Sequence, residues 1–112
     1  MRAIPMEATA FSGHFHPTSA GTVPHDGIVA ADPSVLPLGS RIRIIGAGPY
    51  DGVYMVTDTG SKVVGRHIDL YMQTVAAARQ FGKKMVYVRV LEIGGGKEAA
   101  READVPARSG PH

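Results

Sequence analysis

With 112 residues, a net charge of +2 and no cysteine, the chain has room for one modest core and excludes disulfides, thiol nucleophiles and thiolate metal sites. Lys and Arg are scattered, with Lys83-Lys84 the one adjacent pair, so no nucleic-acid partner is expected. No stretch approaches the ~20 apolar residues needed to span a bilayer.

In chain order, Gly and Pro punctuate short segments rich in Val, Ile and Tyr. Met6–Ser12 and Gly27–Ala31 read as strands. Arg41–Ile45 alternates polar and apolar residues with the period of a half-buried strand. Gly52–Asp58 and Arg66–Tyr71 follow. Met85–Ile93 is the strongest, with Val86, Val88 and Val90 on one face and Tyr87 and Arg89 on the other. The spacing predicts one helix over Gln73–Phe81, rich in good helix formers. Thr74 serves as N-cap, Gly82 lies just past the end, and Lys83-Lys84 suits the negative end of the dipole.

Six short strands, one helix and the turns between them predict an all-β domain, mainly a small closed barrel, over residues 1–96. Residues 97–112 are charged and Ala-rich, then Pro/Gly/Ser-rich. They read as a flexible polar tail with a turn or two of helix at Lys97–Asp104.

Three aspartates sit in apolar or Gly-rich frames, where a carboxylate is costly unless paired or used. Asp32 lies in Ala30-Ala31-Asp32-Pro33, Asp58 opens Asp58-Thr59-Gly60, and Asp69 lies in His67-Ile68-Asp69-Leu70-Tyr71. Gly60 permits a tight turn in which backbone N–H groups and the Thr59 hydroxyl face a ligand. The strands carrying Asp58 and Asp69 are expected to bring both carboxylates to one groove, with Asp32 forming a third wall or capping a turn.

Other residues have plainer readings. His14, Phe15 and His16, with His25 nearby, have the look of a metal fragment. Ser12–Asp26, however, is rich in Gly, Pro and Thr and reads as a surface loop, so no metal site is assigned. His67 either modulates Asp69 or sits exposed. Tyr50, Tyr54 and Tyr87 read as packing, whereas Tyr71 beside Asp69 is a candidate ligand contact. Thr9 and Lys62 read equally as ligand contacts or surface residues.

Taken together, these frames resemble a known family. Ala8-Thr9-Ala10-Phe11, Gly27–Pro33, Leu36-Pro37-Leu38-Gly39-Ser40, Asp58-Thr59-Gly60, Gly65–Tyr71 and Ala78-Arg79-Gln80-Phe81-Gly82 follow one another as in the three-aspartate (3D) domain. The resemblance runs from about Glu7 to Ile93. It implies a six-stranded double-psi β-barrel like the catalytic barrel of membrane-bound lytic transglycosylase A, with relatives in rare lipoprotein A and expansins. It also implies cleavage of the peptidoglycan glycan strand to leave a 1,6-anhydro-N-acetylmuramic acid end. Asp69 would be the acid/base, Asp58 its companion and Asp32 a support. Thr9, Thr59, Gly60, Lys62 and Tyr71 would contact substrate, and no cofactor is required. The implied location is extracytoplasmic. Because Met1-Arg2-Ala3-Ile4-Pro5 lacks the apolar stretch of a secretory leader, an export signal is expected to have been removed.

A lytic transglycosylase uses the substrate's own C6 hydroxyl as nucleophile. One group can therefore act first as acid and then as base, whereas an ordinary glycosidase needs two carboxyls. The acid must begin protonated near neutral pH, and both burial and a neighbouring carboxylate push it that way. The chain departs from the family pattern after Asp-Thr-Gly: Ser61 stands for a second glycine and Val64 for a lysine. That departure keeps open a non-catalytic wall-binding or wall-loosening module. A hydrolytic glycosidase using Asp58 with Asp69 is a second alternative.

Overall fold

A computed structural model describes residues 2–13, 17–96 and 100. Strand β1 spans Ala3–Phe11, β2 Ile28–Ala31, β3 Arg41–Ile45, β4 Gly52–Asp58, β5 His67–Tyr71 and β6 Lys84–Glu92. Helix α1 is Val75–Phe81, and a single 3-10 turn occupies Gly48–Tyr50. Every expected strand forms, with ends displaced by at most three residues, the largest shift being the start of β1 at Ala3. The helix begins at Val75 because Thr74 is extended and accepts a hydrogen bond from Ala77 N–H at 3.0 Å, the N-cap arrangement. Gly82 closes it at φ +66°, a conformation that favours glycine.

The strands close into a barrel in the order β1-β5-β2-β4-β3-β6. Two pairs, β1 with β5 and β2 with β4, are parallel; the other four are antiparallel. This is the mainly β, double-psi arrangement expected. Closure leaves no free sheet edge.

Alternation decides what fills the barrel. Met6 and Ala8, Val29 and Ala31, Ile42 and Ile44, Ile68 and Leu70, and Val86 and Val88 point inward and are all buried. Leu36 and Phe81 cap the interior from a turn and from the helix. At roughly 1.5–3 kcal/mol for each fully buried large apolar side chain, this interior is the main stabilising term. The outward residues of the same strands are then free to serve a site.

After β6 the chain does not simply leave. Gly94 N–H donates to Ser40 Oγ at 3.0 Å, and Gly96 N–H donates to Leu38 O at 2.9 Å. A Cβ on Gly94 would lie 2.2 Å from Leu38 O, so only glycine fits this approach. Ala100 is buried and donates its N–H to Gly96 O; the remaining residues of the expected tail lie outside the described region. Among the described residues no helix is long and apolar enough to cross a membrane.

Candidate active site

Four residues form a row across the outer face of the barrel. In the β1–β5 pairing Thr9 lies opposite Asp69; Asp69 lies opposite Ala30 on β2, and Ala30 opposite Asp58 on β4. Two strand spacings, roughly 10 Å, separate the aspartate Cα atoms, with the small Ala30 as the floor between them.

Asp58 reaches this face only through an irregularity. Val29 pairs with Val56 but Ala30 pairs with Asp58, leaving Thr57 unopposed. Without that extra residue Asp58 would pair with Ala31, whose side chain faces the core. The bulge turns a carboxylate outward that strict alternation would bury. Thr57 pays for this: it is fully buried, and its hydroxyl has no hydrogen-bond partner among the described residues.

Around Asp69 the geometry is a short chain of hydrogen bonds. Thr9 Oγ1 donates to Asp69 Oδ1 at 2.9 Å and lies 2.7 Å from His67 Nε2. A hydroxyl has one proton; with that proton on Asp69, it accepts from the Nε2–H tautomer of His67. The second Asp69 oxygen accepts no hydrogen bond among the described residues. Burial raises the Asp69 pKa above the ordinary 3.8; the Thr9 hydrogen bond and the nearby His67 pull it down, and the Asp58 charge adds to the rise. Desolvation wins.

Asp58 is held differently. Its Oδ1 accepts from Ser19 N–H at 2.9 Å, Ser19 Oγ at 2.8 Å and Thr59 N–H at 2.9 Å. The β1–β2 segment is therefore more than the surface loop its composition suggested. Thr18 and Ala20 are buried, and Ala20 N–H donates to Thr57 O at 3.0 Å, which lays Ser19 across the end of β4.

Asp32 stands apart from this pair. Its Oδ1 takes Ser34 N–H at 2.9 Å and Ser34 Oγ at 2.7 Å, the Asx-turn pattern. Its Oδ2 takes Gly65 N–H at 2.8 Å. The Gly65 hydrogen bond, followed by those from Ser34, holds its pKa below the ordinary value. Both oxygens are engaged, and the carboxylate ties the β2–β3 turn to the β4–β5 loop.

Residues 27–92, more than half of the chain, match the family profile of the 3D domain. The chain belongs to the 3D domain family. Over 68 residues it is 34% identical to YabE of Bacillus subtilis (strain 168), named for a role in cell wall shaping, and 35% identical to the cell wall-binding protein YocH of the same organism. Each alignment covers 61% of this chain but only 16% and 22% of those relatives, so this 3D domain spans under a quarter of their length. An expansin from Clavibacter michiganensis, solved with cellohexaose, superposes with a TM-score of 0.62 at 17% identity, over 81% of this chain and 51% of that one. The lytic transglycosylase MltA of Escherichia coli superposes at 0.56 with 19% identity, over 73% of this chain and 29% of MltA. At such identities the two structures establish the shared barrel and nothing finer.

The remaining predicted contacts fall in three places. Thr9 is in the row itself. Thr59 lies beside Asp58, but its N–H goes to Asp58 and Ser19, and its hydroxyl meets Ser19 Oγ at 2.8 Å. Gly60 begins a turn closed by Val63 N–H to Gly60 O at 3.0 Å; a Cβ there would meet Val63 Cγ2 at 3.0 Å, so space rather than dihedral freedom favours glycine. Lys62 is exposed on that turn, four residues past Asp58. Tyr71 is only 3% exposed, packs edge-on against Phe11 and lines a pocket with Tyr50 and Tyr54.

Composition hid Ser19, because a serine in a Gly/Thr-rich loop carries no signal of a partner 39 residues away. The alternation His67, Asp69 did signal a shared face; that Thr9 bridges them required the β1–β5 register. His14 and His16 lie outside the described residues, and His25 Nδ1 lies 2.7 Å from Asp26 O. Among the described residues no group of three or more His, Asp or Glu is placed to hold a metal ion.

Proposed function

We propose that this 3D domain cleaves the glycan strand of peptidoglycan outside the cytoplasm as a lytic transglycosylase, with Asp69 as general acid/base. The observation that carries the reading is Asp69 itself: half-buried, raised in pKa, tied through one oxygen to Thr9 and, among the described residues, accepting no hydrogen bond at the other. With Thr9 donating to Oδ1, the carboxyl proton belongs on Oδ2. That proton passes to the departing glycosidic oxygen as the C1–O bond breaks. The substrate's C6 hydroxyl then closes on C1, and its proton returns to the same Oδ2. Asp58, across Ala30, keeps a negative charge near the positive character that develops at C1 and favours the protonated start of Asp69. The names of the wall-related relatives support the polymer, and the barrel shared with MltA is compatible with the reaction.

A second reading, a wall-binding module without turnover, is favoured by the name of YocH and by the Ser61/Val64 departure in the loop after Asp58. Mass spectrometry of the soluble products from purified peptidoglycan, with wild type beside Asp69→Asn, separates the readings. Anhydro-muropeptides from the wild type alone support the lytic reaction. Reducing-end products indicate hydrolysis with Asp58 as partner. Sedimentation with the wall and no products from either protein indicates the binding module.

A further inference from the structure

Beyond the row, the outer wall opens into a pocket of ≈ 270 Å³ lined by Asp26, Tyr50, Tyr54, Tyr71, Gln73 and Thr74 together with Gly27, Met72 and Ala77. Tyr71 is two residues past Asp69 on the same strand face, so the pocket begins about 7 Å along β5 from the acid/base. None of these residues belongs to the reaction described above.

The lining has one charge, the Asp26 carboxylate, and no Lys or Arg. Two of its polar groups already commit a donor within the wall, and one Gln73 N–H remains beyond the bond to Asp26. The Tyr54 hydroxyl donates to Tyr50 O at 2.6 Å, and the Gln73 amide donates to Asp26 Oδ2 at 3.4 Å. Acceptor capacity is present at the carboxylate, the Tyr54 oxygen and the Gln73 carbonyl. Tyrosine rings add negative π faces. Burial raises the Tyr54 and Tyr71 hydroxyls, and Asp26 is the next cause for both, so its field reaches both walls. The volume lies below the range of about 300–1,000 Å³ usual for whole small-molecule ligands, which suits a single side chain better than a pair of sugars.

We propose that this pocket binds a primary alkylammonium group, the side-chain amine of a diamino acid on the peptide branches of the wall polymer. An ammonium supplies three donors and one positive charge, matching three acceptors and one negative charge, and its alkyl stem lies against the rings. The source of the amine rests on the peptidoglycan reading; the recognition chemistry does not. Branch binding here would hold the glycan beside Asp69 and make the domain prefer strands whose branch amine is free over those in which it is acylated by cross-linking.

The test is an amide-shift NMR titration of the ¹⁵N-labelled full chain with Nα-acetyl-L-lysine methylamide, repeated with the Nε-acetylated probe and with Asp26→Asn. Saturable shifts at Gly27, Tyr54, Gln73 and Thr74 with the free amine, absent with the acetylated probe and about fivefold weaker in Asp26→Asn, are expected. Equal shifts with both probes, shifts mapping elsewhere, or none would overturn the proposal. Because the probe contains no sugar, amine binding without anhydro products would leave this pocket standing while the lytic reading fell. Anhydro products without amine binding would do the reverse.

Discussion

Asp69 lies within β5 and Asp32 in the turn that follows its antiparallel neighbour β2, yet their surroundings act in opposite directions. At the Asp32 corner three donors surround a partly exposed carboxylate and hold it ionised. On the Asp69 wall a half-buried carboxyl receives one hydrogen bond, and desolvation pushes it toward the protonated form. One acid ties two turns together; the surroundings of the other suit the proton transfer proposed for it. The residue type is the same, so role follows from the number of donors and the extent of burial.

The sharpest way to break this comparison is at Asp69. Asp69→Asn should cut release of anhydro products by about 10²–10⁴-fold, the usual range for a general acid, as measured by product mass spectrometry. Its stability should move the other way. A raised pKa means that the stability contributed is present below the ordinary value of 3.8 and lost as pH rises through the folded pKa. Asp69→Asn should therefore melt higher than wild type at neutral pH and converge with it in acid.

Asp32→Asn should show the opposite sign. A lowered pKa contributes stability that is present above 3.8 and lost as pH falls through the folded value. This variant should melt below wild type at pH 7, with the gap closing below about pH 4. If it instead lost turnover with an unchanged melting curve, the assignment of Asp32 as a tie between turns would be wrong.

Thr9→Val removes the donor that lowers Asp69. The alkaline limb of the rate profile should shift to higher pH, while the rate falls by about tenfold through lost orientation. Thr9→Ser, which keeps the hydroxyl, should restore both. At the bulge, Thr57→Val should stabilise the domain by about 1 kcal/mol in chemical denaturation, because a buried hydroxyl with no partner among the described residues is replaced by a methyl group. Of comparable or smaller size, Ser19→Ala should cost about 1 kcal/mol, since two backbone donors to Asp58 remain.

Much of the barrel was legible beforehand because strand signals are local. Arg41–Ile45 shows its alternation in five residues, and the Val86/Val88 face emerges as drawn. Thr74 and Gly82 mark the ends of the helix through capping chemistry that needs no distant partner. The site was legible as three frames of sequence, whose matched order carried the family. The Asp32 turn could be anticipated too, since its serine partner is two residues away; its tie to Gly65, 33 residues on, could not.

By itself the sequence determined which segments extend, where the chain turns and which aspartates stand in costly surroundings, because propensity, alternation and turn chemistry act within a few residues. The tertiary structure decided which of those aspartates share a row. Closing the barrel set Thr9 against Asp69 across a separation of 60 residues, and one unopposed residue at Thr57 turned Asp58 outward. Register and burial are properties of strands paired at long range, and they separate the raised carboxyl of Asp69 from the lowered one of Asp32.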